Sequence, residues 1–401
     1  MKIGIVKEGK VPIDRRVALN PQQAKLVKEK FDNVEVVCQP SDIRCYTNED
    51  YQNAGIILQD SLDDCDVILG VKEVPIPELI AAKTYFFFSH TIKKQPYNRE
   101  LLRTILEKNI TLIDYETLVN EDNQRIIAFG RYAGIVGAYN GIWTYGKRYN
   151  LFDIRRANEC LDLDDLKTEY KKVNLPKIKI VITGGGRVAK GAMEVLHGMG
   201  IRKVSPADFL KERYDEPVFT QLSSRDYHIH KEGNKFDLGE FYNNPGNYKG
   251  DFLKYATAAD LLIASAYWAP QAPVLFETND VLRNDFNIKI IADITCDIEG
   301  SIPSTKKPST IDDPVYDFNP TQDKVEPAFN DEGNITVMAV DNLPCELPRN
   351  ASTDFGDMLI KNVLPGLIVS DERNIIKNAT IASGGMLTEK YSYLRDYVDG
   401  I

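Results

Sequence analysis

At 401 residues, with 43% hydrophobic and 27% charged side chains, the chain has room for two domains of ordinary size and the make-up of a soluble globular protein. Its formal charge of −10 disfavours a nucleic-acid partner, though not a local basic pocket for small anions, and no apolar run approaches the length of a membrane span. The opening Met-Lys-Ile-Gly-Ile-Val leads straight into a strand pattern rather than a signal peptide, so a cytoplasmic protein is expected.

Residues 2–6 form a short apolar strand, and Pro21 opens an amphipathic helix through Ala24, Leu26, Val27 and Phe31. Residues 33–38 return as a strand, and Tyr51, Ala54 and Ile57 suggest a second helix. Strands follow at 66–71, 85–88 and 110–113, the last two separated by a helix through Leu101, Leu102, Ile105 and Leu106. Strands that alternate with helices and are apolar throughout imply a parallel sheet covered on both faces. This half lacks a glycine-rich phosphate loop, so it is expected to carry substrate. Residues 129–138 place glycines at helical spacing, which suits a connecting helix in close contact with a neighbour.

Residues 177–191 carry the strongest local signal. A β-branched run ends in Gly184, Gly185 and Gly186, and Val188, Ala192, Val195, Leu196 and Met199 then recur on one helical face. With Ala189 in the last place, this fits Gly-x-Gly-x-x-Gly/Ala at a strand-to-helix turn, where backbone N–H groups meet a diphosphate. Arg187 and Val188 open that helix, and Asp208 lies at the distance expected of the acid that binds a ribose 2′-hydroxyl, which favours NAD. NADP is possible if Lys203, Lys211 or Arg213 compensates a 2′-phosphate. Residues 211–250, rich in Tyr, Asn, Asp and Gly, read as an insertion rather than core. The sheet pattern resumes at 260–265, 288–294 and 337–340, and Phe355, Met358, Leu359, Val363 and Leu364 outline a late helix, after which the chain returns to the first domain. The six cysteines include no Cys-x-x-Cys pair and read as free thiols, and His228 and His230 as solvated side chains, so no metal site is expected.

In open parallel sheets, ligands sit beyond the carboxyl ends of the strands. There the sequence places Lys72, His90, and Asp114 with Glu116, while Arg15 and Arg16 occupy the loop after the first strand. A histidine titrates in the useful range and a lysine beside other cations can be brought towards it, so Lys72 and His90 suit proton transfer at a reacting C–N bond. Arginines suit the carboxylates of an amino or oxo acid. Glu116 is equally suited to neutralising Lys72 or Lys93.

The stretches Asp14-Arg15-Arg16-Val17-Ala18-Leu19-Asn20-Pro21, Gly70-Val71-Lys72-Glu73, Phe88-Ser89-His90-Thr91-Ile92-Lys93, Ile127-Ala128-Phe129-Gly130 and Val340-Asp341-Asn342-Leu343-Pro344 together resemble the lysine-forming saccharopine dehydrogenases, and most closely the lysine-ketoglutarate reductase half of bifunctional relatives. More distantly, the sequence is similar to alanine dehydrogenase and transhydrogenase. The resemblance implies an α/β protein of two Rossmann-like, doubly wound parallel-sheet domains with a cleft between them. The expected boundaries are 1–140 plus 346–401 for the discontinuous catalytic domain and 141–345 for the dinucleotide domain. It further implies an NAD(P)-dependent oxidoreductase interconverting saccharopine with L-lysine and 2-oxoglutarate. Lys72 and His90 match the family's acid–base pair, Arg16 and Lys93 groups near the substrate, Glu116 an acid that tunes the pair, and Arg125 and Asp341 residues near the cofactor. The alternatives are an alanine dehydrogenase-like enzyme and a dinucleotide sensor without turnover. The oligomeric state is not legible.

Overall fold

The structure is a computed structural model that describes residues 1–401. The chain forms two units, Met1–Phe129 with Pro348–Ile401, and Gly130–Leu347.

The first unit is built on an eight-stranded sheet. In chain order its strands are β1 (Lys2–Ile5), β2 (Glu35–Cys38), β3 (Ile57–Leu58), β4 (Val67–Lys72), β5 (Thr84–Phe88) and β6 (Thr111–Asp114), joined by two strands from the returning chain, Thr380–Ser383 and Met386–Leu387. Laterally, β6, β5, β4, β1, β2 and β3 lie side by side and parallel, while Thr380–Ser383 pairs antiparallel with β6. The expected parallel sheet thus has an antiparallel edge. Neighbouring residues serve opposite faces, as a two-residue repeat requires. Ile3, Leu69, Phe86 and Ile113 pack into one core, and Val37, Ile68, Tyr85, Phe87 and Leu112 into the other. The helix Pro21–Lys30 starts where Asn20 and Gln23 cap each other's backbone N–H groups and Pro21 fixes the first turn.

The second unit contains another eight-stranded sheet. Its strands are β7 (Lys179–Thr183), β8 (Arg202–Lys203), β9 (Val218–Leu222), β12 (Leu261–Ala264), β13 (Ile290–Asp293), β14 (Val315–Asn319), β15 (Lys324–Glu326) and β16 (Ile335–Met338), while β10 (His228–His230) and β11 (Tyr248–Gly250) form a separate antiparallel ribbon. The lateral order is β15, β14, β16, β13, β12, β7, β9, β8, antiparallel only at β14 and β15. Residues 211–250 are therefore not all insertion: Val218, Phe219, Thr220 and Leu222 are buried, and β9 lies directly beside β7. His228 and His230 are buried rather than solvated. His228 Nδ1 lies 2.9 Å from the Ser224 carbonyl, and His230 Nε2 lies 3.3 Å from Glu240.

The helix Gly130–Tyr149 packs on the helix Arg187–Gly198 that follows the glycine loop. Their approach is close enough that a Cβ at Gly134 would stand 1.9 Å from the Val188 carbonyl oxygen, and one at Gly191 would stand 2.0 Å from that of Arg131. Only glycine fits where two backbones meet this closely. No helix is long and apolar enough to cross a membrane.

Candidate active site

Because β1, β4, β5 and β6 are adjacent and parallel, the segments leaving their carboxyl ends share one edge of the first unit. Lys72 is the last residue of β4, where the pairing register with β5 slips between Leu69 and Lys72. This irregularity leaves two backbone N–H groups facing the loop after β1, and Glu8 fills that gap. Its Oε1 accepts from Val71 N at 2.6 Å and its Oε2 from Lys72 N at 2.9 Å. Glu8 matches no site motif in the sequence; its one signal there is a lone carboxylate three positions past β1. Burial, with Asp14 nearby, pushes its carboxyl up to about 8 against those hydrogen bonds and the Arg16 charge.

A carboxyl raised in the folded state stabilises most below its unfolded value, and that stability is lost as pH rises through about 8. The expected result for Glu8→Gln is that urea-unfolding stability, relative to the parent, improves as pH rises from about 5 to about 9. A gap that stays constant with pH would rule out the raised carboxyl.

Arg16 is buried and committed to Asp14 through Nε (3.0 Å) and Nη2, with its guanidinium 4.1 Å from the centre of the Phe129 ring. Arg15 is exposed and forms no ion pair; the sequence cannot separate two adjacent arginines, whereas the loop turns one in and one out. Lys72 is half-buried, and its ammonium pKa is lowered, chiefly by burial and then by Arg16.

His90 ends the β5 turn in a left-handed conformation (φ 54°), two residues past Phe88, the β4-facing partner of Lys72. Its Nδ1 lies 3.2 Å from Glu116 Oε2. Glu116 also receives Arg125 Nη2 and stands 3.6 Å from Lys93 Nζ, although both cations remain about half exposed. Burial alone would raise the Glu116 carboxyl, but the His90 contact and these two charges outweigh it and hold it at about 2. Asp114 faces inward instead of towards the site edge. It accepts from Ser89 N at 3.0 Å and Glu116 N at 2.7 Å, so it fixes the two turns that present His90 and Glu116.

In the second unit, Gly184 has φ 92°, and a Cβ there would meet the backbone of Ala266 at 3.0 Å. Gly186 is the N-cap of the helix Arg187–Gly198, no side chain caps it, and a Cβ would meet nothing within 4 Å. Open backbone N–H groups at the start of a helix are the donor set that a dinucleotide diphosphate requires, so the loop fits such a cofactor. Arg187 and Val188 form the helix's first turn. Asp341 is exposed three residues beyond β16. Asp208, expected at the ribose, lies beyond the edge strand β8 rather than on a strand beside β7. It belongs to the short helix Pro206–Lys211, accepts from Ser205 Oγ at 2.7 Å, and follows the edge strand β8. The strand beside β7 is β9, so the place next to the loop falls to residues 221–226.

Residues 4–136 match the family model "Alanine dehydrogenase/PNT, N-terminal domain". The chain is 29% identical to "Alpha-aminoadipic semialdehyde synthase" of Arabidopsis thaliana, across 98% of its own length and 41% of that protein's. It is 24% identical to "Saccharopine dehydrogenase [NAD(+), L-lysine-forming]" of Yarrowia lipolytica, across 88% of this chain and 89% of that one. The chain thus spans under half the length of the first relative. A solved L-alanine dehydrogenase superposes over 100% of this chain and 99% of its own with a TM-score of 0.64 at 17% identity, which speaks to the fold.

Proposed function

We propose, from the kinship of this chain with the alpha-aminoadipic semialdehyde synthases and saccharopine dehydrogenases, that it is a nicotinamide-dependent oxidoreductase that condenses L-lysine with 2-oxoglutarate to saccharopine, and reverses that reaction. The observation that carries this reading is the pairing of Lys72, its pKa lowered by burial, with His90, oriented by Glu116, on one sheet edge. Condensation needs a proton taken from the ε-ammonium of lysine, protons delivered to the departing keto oxygen, and another handled at the secondary amine. Lys72, its ammonium pKa lowered by burial and Arg16, and His90, held through Nδ1 by Glu116, are suited to these transfers. A bound nicotinamide dinucleotide supplies the hydride for the C=N carbon, so lysine, 2-oxoglutarate, reduced cofactor and a proton give saccharopine, oxidised cofactor and water.

The carboxylate of L-lysine and the two carboxylates of 2-oxoglutarate bring several negative charges. Lys93 and Arg125 are the reachable cations for them, whereas Arg16, held by Asp14, shapes the floor of the site and lowers the Lys72 pKa. Glu116, ionised at any physiological pH, keeps His90 oriented through Nδ1. The expected result is oxidation of reduced cofactor that requires both L-lysine and 2-oxoglutarate and yields saccharopine by mass spectrometry. Oxidation with pyruvate and ammonia in their place would instead indicate an alanine dehydrogenase. No turnover with either pair would end the proposal.

A further inference from the structure

The end of β4 carries an offset that its own sheet does not maintain. Leu69 pairs with Phe86 and Lys72 with Phe88, so β4 takes three steps where β5 takes two. One extra residue on one strand is a bulge, and bulges beside active sites re-aim the side chain that follows them. Here the offset puts Lys72, rather than Val71, opposite Phe88, on the strand that leads into His90. Side chains alternate faces along a strand, so a slip by one residue would turn Lys72 to the other face of the sheet.

The contact between β1 and β4 stops short of the bulge. β1 ends at Ile5, and Val6 N then donates to the Leu69 carbonyl at 3.1 Å. Beyond that bond, the Val71 and Lys72 N–H groups donate to the two oxygens of Glu8, at 2.6 and 2.9 Å. A side chain thus continues the ladder after the backbone has left it. Gly70 leaves room for this approach, since a Cβ there would stand 3.1 Å from Val6 Cγ1 and 3.7 Å from Glu8 Oε1. Glu8 and Val71 are both buried, so removing the carboxyl strands the Val71 N–H without an acceptor. Asp14, Arg16 and Tyr115 face Glu8, and the Tyr115 hydroxyl is buried without a partner. Lys72 is faced by Arg16, Asp14, Lys10 and Glu73, of which Lys10 and Glu73 pair with each other.

We infer that Glu8 is a positioning residue for the proposed reaction: its carboxyl locks the bulge of β4 and so holds Lys72 opposite the strand that presents His90. Glu8 meets neither substrate nor cofactor in this role, and acts through the two backbone N–H groups it accepts from. The assignment rests on Lys72 as the proton-transfer group of that reaction.

The test compares the full chain with Glu8→Gln and Glu8→Ala, reading by mass spectrometry the pH at which Lys72 becomes half-reactive towards acetic anhydride. Two effects oppose each other. Loss of a negative charge alone lowers the Lys72 pKa, whereas release of the bulge exposes the ammonium and raises it towards that of an ordinary lysine. The expected result is an upward shift of the labelling midpoint, larger for alanine than for glutamine, whose carbonyl still accepts from one N–H. Saccharopine-forming turnover falls about tenfold to a hundredfold in Glu8→Ala and less in Glu8→Gln, the effect of a reacting group misplaced by about 1 Å, while the KM for the dinucleotide stays within about twofold. Circular dichroism checks that each variant folds, and if the alanine variant does not, the glutamine variant decides. A midpoint that stays or moves down, or full turnover in a variant whose midpoint has risen, would overturn the assignment. A parent that forms no saccharopine would end the proposed reaction instead, and the labelling midpoints would still decide whether Glu8 positions Lys72.

Discussion

Replacing Lys72 with methionine lowers turnover by about 10²- to 10⁴-fold, the span expected for removal of a positioned acid–base group. Methionine keeps the unbranched stem and its packing at the end of β4 while deleting Nζ, and the Glu8 contacts to the Val71 and Lys72 backbone do not depend on the side chain. Dinucleotide affinity, proposed for the second unit, stays within about twofold if the loss is chemical rather than structural. The pH dependence supplies a second check. Burial and Arg16 lower the ammonium pKa of Lys72, so in the parent the rate governed by its free-base form rises at a lower pH than for an ordinary lysine. Ethylamine added to the methionine variant should restore part of the activity. Unchanged turnover, or a loss that tracks cofactor affinity alone, would remove Lys72 from the proton-transfer role.

The second large effect is on stability. Gly134→Ala places a methyl group 1.9 Å from the Val188 carbonyl and 2.8 Å from Ala192 N, backbone atoms that belong to a helix and cannot swing aside. The two helices must separate, and the expected cost is about 3 kcal/mol or more, in the range of severe overpacking. Gly246→Ala is the matched control, because a Cβ there meets nothing within 4 Å. Thermal unfolding followed by circular dichroism should show a clear downward shift for the first and little change for the second. If the two variants melt together, the helix contact is looser than described.

The features most legible in the sequence were those written in unbroken local patterns. The apolar strands that became β4 to β7, the glycine turn and the strand-end identities of Lys72, His90 and Glu116 all follow from short runs with a single period. What escaped was set by tertiary context. β9, Val-Phe-Thr-Gln-Leu, is too short and mixed to stand out among polar residues, yet it takes the place between β7 and the edge strand β8. Measuring about twenty residues past the glycines therefore reached the edge-strand helix and Asp208, and missed residues 221–226. Arg15 and Arg16 look alike in sequence; the buried carboxylate of Asp14 distinguishes them. Glu8 acts through backbone N–H groups, for which no side-chain motif exists, and Asp114, legible as a strand-end carboxylate, turns inward to backbone N–H groups in the same way.

The order in which the chain threads its two sheets constrains synthesis. Residues 130–347 contribute a whole unit between β6 and the strand Thr380–Ser383 that borders it, so this middle segment has all its own strands as soon as Leu347 has left the ribosome. The first unit, begun earlier, must keep the outer edge of β6 unpaired for more than 260 residues of elongation. During that interval, the buried face that Ile381 and Ala382 later cover is open to chaperones and to other nascent chains. Translation speed across the middle segment thus sets how long the first unit waits for its last two strands.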